Sequence, residues 1–219
     1  MSLERLRLFQ LVSPALPVGG FSYAEGLEVL VQGGRLPDGQ AVRAWLEAEL
    51  RRGLLCLEAA ALPRLMQRQG QGDWAGLADL DGWLLAQREA AELRAQQRQM
   101  GLSLQQLLAD LGWPLPPQAP RLSWPAAFAW AGQCLELPPQ AVVEAYLYSW
   151  VANQLSAAVR LVPLGPTEGQ RLLLGFGPLL EQRAADLAMA DPQRLWSGGV
   201  GAALAQLGQA ELYSRLFRS

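Results

Sequence analysis

Apolar positions recur along this chain at the three- and four-residue spacing of amphipathic helices, and stretches with the alternation of a β-strand are nearly absent. Leu, Ala, Gln, Glu and Arg dominate these stretches, while Pro and Gly interrupt them. The pattern predicts an all-α fold. We expect one domain over residues 1–219, built as a helical bundle of about eight to ten helices.

Caps and helix breakers predict where the helices begin and end. Ser22 is the predicted N-cap of the second helix, Gly33-Gly34 closes it, and Asp73 caps a later segment. Gly53 and Pro63 favour a kink or a break in the third helix. The predicted helices cover residues 3–12, 22–32, about 38–56 with a possible continuation to 69, 83–111, 125–136, 139–162, 167–189 and 200–217.

Residues 112–125 contain five Pro and cannot form the interior of a helix. This Pro-rich loop could be a linker between two small domains. The more economical interpretation is an ordered loop on the surface of one domain, because both halves of the chain are equally helical.

The predicted helix 139–162 is apolar almost all round, which is typical of a central, buried helix. One narrow polar stripe runs along it, formed by Ser149, Asn153, Ser156 and Arg160. The stripe could be a seam that reaches solvent or a satisfied polar network in the core. It could also lie at a subunit or partner interface. The charged and amide side chains of this helix would be costly at bilayer depth, so we expect no membrane span.

A helical projection of 83–111 places two arginines, Arg88 and Arg98, on one face with small residues between them. Guanidinium groups on such a face can bind carboxylates or carbonyls of a partner. A solvated face with an Arg88–Glu92 pair is the alternative interpretation. The complete predicted face is Leu84, Arg88, Ala91, Ala95, Arg98 and Leu102.

The chain has no His, and its 18 basic residues are all Arg. These absences exclude Ser-His-Asp and Cys-His catalysis, histidine metal sites and lysine Schiff-base chemistry. Some carboxylates are close together in the sequence, but helix surfaces commonly carry such pairs, so they do not indicate an acid–base site. We therefore predict no catalytic residue, no metal ligand and no cofactor, and expect the protein to act by binding. Cys56 and Cys134 are predicted to be free thiols.

The formal net charge of −2 gives no indication of binding to nucleic acid or to an anionic membrane surface. The first residues carry Arg5 and Arg7 without the apolar run of a signal peptide. We therefore expect a cytoplasmic protein.

Both ends of the chain carry unusual segments. Residues 13–21 combine two Pro and two Gly with three apolar side chains, which specifies the backbone shape more than a simple turn requires. Near the other end, Leu212/Leu216 and Tyr213/Phe217 form apolar i,i+4 pairs beside two arginines. A tail with this many apolar side chains should dock, either on the core of its own chain or on another protein.

Four stretches resemble the urease accessory protein F family, in the same order and with the same spacing over nearly the whole chain. The first is Leu-Val-Ser-Pro-Ala-Leu-Pro-Val-Gly-Gly-Phe-Ser-Tyr-Ala-Glu-Gly-Leu-Glu at 11–28. The second is Arg-Glu-Ala-Ala-Glu-Leu-Arg at 88–94, continued by Arg-Gln-Met-Gly at 98–101. The third includes Tyr-Leu-Tyr-Ser-Trp at 146–150 and Ala-Ala-Val-Arg-Leu-Val-Pro-Leu-Gly at 157–165. The fourth is Tyr-Ser-Arg-Leu-Phe-Arg-Ser at 213–219.

The resemblance implies an all-helical protein that tends to form homodimers. Members of that family bind urease accessory protein D, called H in some organisms, and recruit the GTPase accessory protein G to apo-urease. The assembly carbamylates a lysine and inserts nickel ions. This chain would then be an adaptor and a regulator of the GTPase step, neither an enzyme nor the nickel carrier. The alternative is a GTPase-activating protein that supplies Arg88, Arg98 or Arg160 to the GTPase in trans.

The resemblance and the residue patterns together predict the partner-binding residues. One departure concerns Gln209, which stands where the family usually has His, so a docking role for that His does not carry over. The candidate partner-binding residues are Phe21, Tyr23, Glu28, Arg88, Arg98, Arg160, Tyr213, Arg215, Leu216, Phe217 and Arg218.

Overall fold

The computed structural model describes residues 3–217, with every side chain in that range except that of Phe21. No strand occurs between residues 3 and 217, so the all-α prediction is confirmed. Short 3₁₀ turns lie at Gly20–Ser22, Pro192–Arg194 and Gln209–Glu211. The helices are α1 Leu3–Leu11, α2 Leu27–Gln32, α3 Gly39–Arg52, α4 Leu54–Gln71, α5 Trp74–Ala86, α6 Ala91–Asp110, α7 Trp124–Cys134, α8 Pro139–Leu161, α9 Pro166–Gly175, α10 Gly177–Met189 and α11 Val200–Gly208.

The core forms where α4 and α8 pack against each other and against α7 and α10. The buried face of α4 is rich in Ala, which allows close helix approach, and α8 fully buries Val142, Val143, Leu147 and Val151. The central position predicted for the helix 139–162 is therefore confirmed. Around this centre, α1 and α9 also pack on α8, and α11 packs on α2.

The prediction of one helix over 83–111 is wrong. The helix is interrupted by residues 87–90, which connect the end of α5 to the start of α6. Arg88 lies in this connection and turns inward to a buried carboxylate, Glu58, so a tertiary ion pair overrides the local helical periodicity. The predicted face that joined Arg88 to Arg98 consequently does not exist, nor does an Arg88–Glu92 helical pair.

The second helix begins five residues later than predicted, and its N-cap is Gly26, not Ser22. Ser22 ends a 3₁₀ turn, and the chain then passes through Glu25 and Gly26 at φ values of 49° and 86°. A Cβ at Gly26 would meet the backbone nitrogen of Gln206 at 2.9 Å, so glycine is required here. The predicted end at Gly33-Gly34 is confirmed.

Two further predicted helices are shorter than expected. The stretch 167–189 is divided at Phe176, which is buried in the core and lies between α9 and α10. The stretch 200–217 is helical only to Gly208, and after the 3₁₀ turn the chain continues without helix. The apolar pairs Leu212/Leu216 and Tyr213/Phe217 are therefore not helical neighbours.

Several boundary predictions are confirmed. The break at Gly53 separates α3 from α4, whereas Pro63 is accommodated inside α4. Asp73 caps α5, because its Oδ1 accepts a hydrogen bond from the backbone of Gly76 at 3.0 Å. The Pro-rich loop contains no helix until Trp124.

Both cysteines are free thiols, as predicted, and Cys56 is buried on α4. Within the part of the chain that the structure describes, no helix is both long enough and apolar enough to cross a membrane.

Candidate partner-binding surfaces

The end of the chain is held in place by Glu28 on α2. This carboxylate is buried, and it accepts hydrogen bonds from the backbone nitrogens of Leu216 at 2.7 Å and Phe217 at 3.2 Å. Hydrogen bonds to an ionised acceptor are stronger than those between neutral groups. Gln32, one turn further along α2, donates to the carbonyl of Ser214 at 3.2 Å. The tail up to Phe217 therefore docks on its own chain.

Gln209, the departure from the family pattern, lies beside the same carboxylate. Its side chain is buried, and its Nε2 is 3.5 Å from Glu28 Oε2. Its Oε1 finds no hydrogen-bond partner among residues 3–217. An amide at this position can donate weakly to Glu28 without carrying a proton that titrates near neutrality.

On the outer side of this region, α11 and the segments before and after it carry several exposed apolar side chains. Val200, Leu204 and Leu207 follow each other on one side of α11 at steps of four and three, and all three are exposed. Tyr213 is fully exposed, and Trp196 is 91% exposed. We define the C-terminal surface as Trp196, Val200, Leu204, Leu207, Tyr213 and Leu216. Exposed apolar side chains that lie close together in the sequence are candidates for a protein–protein interface.

A groove of about 490 Å³ lies on another side of the bundle, between the segment 11–20, α8 and α9. The polar stripe predicted on α8 lines it, since Ser149, Asn153, Ser156 and Arg160 all border the groove. We call this the α8 groove. Two features that the sequence singled out separately, the Pro- and Gly-rich N-terminal block and the polar stripe, are therefore brought together.

Arg160 stands where the α8 groove meets the tail. Its side chain is exposed, and it is the only charged residue among those described that line the groove. The Cζ atom lies 5.9 Å from the centroid of the Phe217 ring, which is within the range of a cation–π interaction. Phe217 itself is buried, so the ring is fixed on one side by the core and on the other by Arg160.

Arg88 is not on a surface at all. It is 4% exposed, and its Nε and Nη2 donate to Glu58 Oε1 at 2.9 and 2.5 Å. Glu58 also accepts a hydrogen bond from the hydroxyl of Tyr146 at 2.8 Å, and Glu25 Oε2 is 3.7 Å from Arg88 Nη1. We call Glu25, Glu58, Arg88 and Tyr146 the inner cluster.

Burial raises the pKa of Glu58, while the positive charge of Arg88 acts in the opposite direction. The second carboxylate, Glu25, is bound from two further sides by Trp150 Nε1 at 3.2 Å and Gln96 Nε2 at 3.3 Å. The inner cluster is thus a paired and hydrogen-bonded network in which Glu58, Arg88 and Tyr146 are buried and Glu25 is partly exposed.

The remaining predicted residues are distributed over separate parts of the molecule. Arg98 is exposed on α6, and Tyr23 is partly buried beside the inner cluster. Arg215 is exposed and donates to the carbonyl of Ala210 at 2.8 Å. The side chain of Phe21 and the whole of Arg218 lie outside the described residues.

Sequence reasoning missed the exposed face of α11 and the carboxylates Glu25 and Glu58. The spacing of Val200, Leu204 and Leu207 could have indicated the α11 face, although spacing alone does not tell an exposed stripe from a buried one. Nothing in the sequence indicates the pairing of Glu58 with Arg88, because the two are 30 residues apart.

The structure offers no evident metal centre. Among residues 3–217, no group of three or more Asp, Glu or Cys side chains is arranged so that it could hold a metal ion.

Comparison with known proteins gives one consistent result. A family model described as UreF matches residues 36–177. A urease accessory protein UreF from Microcystis aeruginosa is 42% identical over 99% of this chain and 98% of its own length. Proteins of the same name from Alkalilimnicola ehrlichii and Dechloromonas aromatica are 41% and 38% identical, each over 99% of this chain and covering 96% and 98% of their own lengths.

Proposed function

The chain belongs to the UreF family of urease accessory proteins, and on that premise we propose that it is an adaptor without catalytic activity of its own. It binds accessory protein D, or H, and recruits the GTPase accessory protein G to apo-urease in the cytoplasm. The recruited complex then assembles the nickel centre of urease. The adaptor needs no cofactor, and nickel reaches urease without being carried by this chain.

The single observation that supports this proposal best is the C-terminal surface. It exposes six large apolar side chains, and the part of it that carries Leu216 is held from beneath by Glu28. Preorganised apolar side chains lose little conformational freedom on binding, so their burial contributes to affinity efficiently. We assign this surface to accessory protein D or H.

The assignment is tested by gel filtration with light scattering, using the purified chain, accessory proteins D and G, magnesium and guanine nucleotide. The double substitution Tyr213→Ala and Leu216→Ala removes exposed apolar area but keeps the backbone hydrogen bonds to Glu28. We expect it to weaken binding of D at least tenfold, which corresponds to about 1.4 kcal/mol.

Leu111→Ala is the matched control, because Leu111 is also an exposed leucine but lies at the far end of α6. It should bind D like the wild type. Undiminished binding by the double variant would reject the C-terminal surface as the site.

We assign the α8 groove to a second interface, either between two copies of this chain or with the GTPase. Its mixed lining, apolar walls with one polar stripe and a single cation, resembles the composition of protein interfaces more than that of a core. A homodimer would appear in the same light-scattering experiment as two copies of the chain per assembly.

The exposure of Arg160 supports the alternative function, a GTPase-activating protein that supplies an arginine in trans. Burial removes Arg88 from that role, whereas Arg98 remains exposed. Arg160→Lys should then abolish most stimulation of GTP hydrolysis at unchanged affinity. Arg171→Lys, an exposed arginine on α9 outside the groove lining, is the control. Unchanged stimulation by Arg160→Lys would leave simple recruitment as the function.

A further inference from the structure

The helix α11, which carries half of the C-terminal surface, rests on a small buried area. Ala202 and Ala205 are its only buried residues, and both have short side chains. The close approach is possible because Gly26 lacks a Cβ. Burial of two methyl groups contributes on the order of 1–2 kcal/mol, so a modest change beneath α11 should alter its docking.

A further carboxylate, Glu49 on α3, lies beneath α11. Together with Ala202 and Gln206 of α11 it borders a cavity of about 20 Å³, large enough for about one water molecule. A Cβ built on Gly199, the residue before α11, would lie 3.7 Å from Glu49 Oε2. The side chain of Glu49 forms no hydrogen bond or ion pair with any other residue between 3 and 217.

The charges around Glu49 are unbalanced. Glu25 and Arg88 of the inner cluster border the same cavity, and Arg52 follows on α3. Arg88 already pairs with Glu58 and Glu25, so it cannot also neutralise Glu49 fully. On the far side, residues 195–208 contain no ionisable side chain. The ionisable groups that face Glu49 are therefore Glu25, Arg52, Arg88 and, from α4, the thiol of Cys56.

We propose that ionisation of Glu49 weakens the docking of α11, so that the C-terminal surface is held firmly in mildly acidic solution and loosened in neutral to alkaline solution. The proposal rests on the proposed function only where it calls this surface a partner site. The pH response of α11 is a property of the free chain.

The direction follows from the environment of the carboxyl group. Partial burial, followed by the negative charge of Glu25, raises the pKa of Glu49 from 4.5 to about 7, although Arg52 and Arg88 oppose the rise. The partial positive charges at the start of α11 and at the start of α4, whose N-cap Gly53 adjoins Glu49 Oε2, favour the ionised form, as the two arginines do. Glu49 is partly exposed while α11 is docked, and its exposure to water increases when α11 moves away, so its pKa falls.

A group whose pKa is raised in the docked state favours docking only while it is protonated. The contribution of Glu49 is fully present below pH 4.5 and is lost as the pH rises to about 7. If undocking returns the pKa to 4.5, the docking equilibrium falls by about twenty-fold between pH 5.5 and 7.5, which is an upper limit.

The test is amide hydrogen exchange across Val200–Gly208 in the full chain, compared between wild type and Glu49→Gln at pH 5.5 and pH 7.5. Dividing the two rates at the same pH cancels the intrinsic pH dependence of exchange. We expect the ratio of wild-type to variant rate to rise between the two pH values, by up to about twenty-fold. A rise of less than about twofold, or a fall, overturns the proposal.

Glu47→Gln is the matched control, because Glu47 lies on the same helix but on a different side from Glu49. Its Oε1 is 2.8 Å from Arg51 Nη2. It should exchange like the wild type at both pH values. Should Glu49→Gln not fold, an NMR titration of the wild-type chain decides the matter. The amides of Gly199, Ala202 and Gln206 should titrate with a midpoint near 7. A midpoint near the ordinary value of 4.5 overturns the proposal.

Neither measurement needs a partner protein. If α11 responds to pH as expected but protein D does not bind, the proposed function fails and this inference stands. If D binds and α11 does not respond to pH, this inference fails and the proposed function stands.

Discussion

The inner cluster and the C-terminal anchor both use a buried carboxylate to hold distant parts of the chain together, but they leave different groups exposed. At the inner cluster, Glu58 binds Arg88 and Tyr146, and all three side chains are buried. At the anchor, Glu28 holds the tail through its backbone nitrogens, with the Gln209 amide beside it, so the side chains of Tyr213 and Leu216 remain free to face solvent.

The difference separates a structural network from a recognition surface. A carboxylate that binds side chains fixes those side chains inside the core, where they stabilise one fold. A carboxylate that binds backbone fixes the path of the chain and leaves the choice of outward side chains open.

The largest expected effect is from Arg88→Met, which breaks the inner cluster. It leaves the buried Glu58 and the partly exposed Glu25 without their cation, and we expect the free energy of unfolding to fall by about 3–5 kcal/mol. Urea denaturation measures this change in the free energy of unfolding. Arg98→Met removes an exposed arginine and should change stability by less than about 0.5 kcal/mol. Similar losses for both variants would mean that Arg88 is not a specific support of the fold.

A smaller and more local effect is expected from Glu28→Gln. The neutral amide keeps one acceptor but places an NH₂ group against the tail. The free energy that holds the tail in place should therefore fall by about 1–2 kcal/mol. Exchange of the Leu216 and Phe217 amides should then be about 5–30 times faster, with global stability changed little. Glu181→Gln, an exposed glutamate on α10, should leave these amides unaffected. Equal exchange in the two variants would contradict an anchoring role for Glu28.

The smallest effect on stability is expected from Leu204→Ser on the exposed side of α11. Because this side chain is largely in solvent, the free energy of unfolding should change by less than about 0.5 kcal/mol. Binding of accessory protein D should nevertheless weaken by about 1 kcal/mol or more, as for a residue at the centre of an interface. Leu102→Ser on α6 controls for the loss of an exposed leucine. Equal affinities of the two variants for D would place the interface elsewhere.

Among the candidate surfaces, the polar stripe of α8 was accessible from sequence. A long helix that is apolar almost all round has few places for polar residues, so Ser149, Asn153, Ser156 and Arg160 had to share a face. The sequence could not predict that this face and the N-terminal block border the same groove, because α1 and α8 meet only in the folded chain. The break between α5 and α6 was missed for the same reason, since Arg88 is drawn inward by Glu58 from another helix.

The C-terminal block shows the same division within a few residues. Its apolar composition predicted that it should dock, and the structure docks it through Glu28, which is 188 residues away from Leu216. Which side chains turn inward could not be read from the i,i+4 spacing, because the segment is not helical beyond Glu211. Phe217 is buried, whereas Tyr213, its predicted i,i+4 partner, is exposed, and Leu216 is exposed as well.

The sequence alone determined the helical class, the central place of α8, the absence of histidine and lysine chemistry, and the membership of the UreF family. These properties depend on composition, periodicity and residue order, which act locally or over the whole chain at once. The tertiary structure alone decided which arginine is buried, which carboxylates share one cation, and which apolar side chains are left in solvent. Each of these depends on groups far apart in sequence, whose desolvation and pairing exist only once the helices have packed.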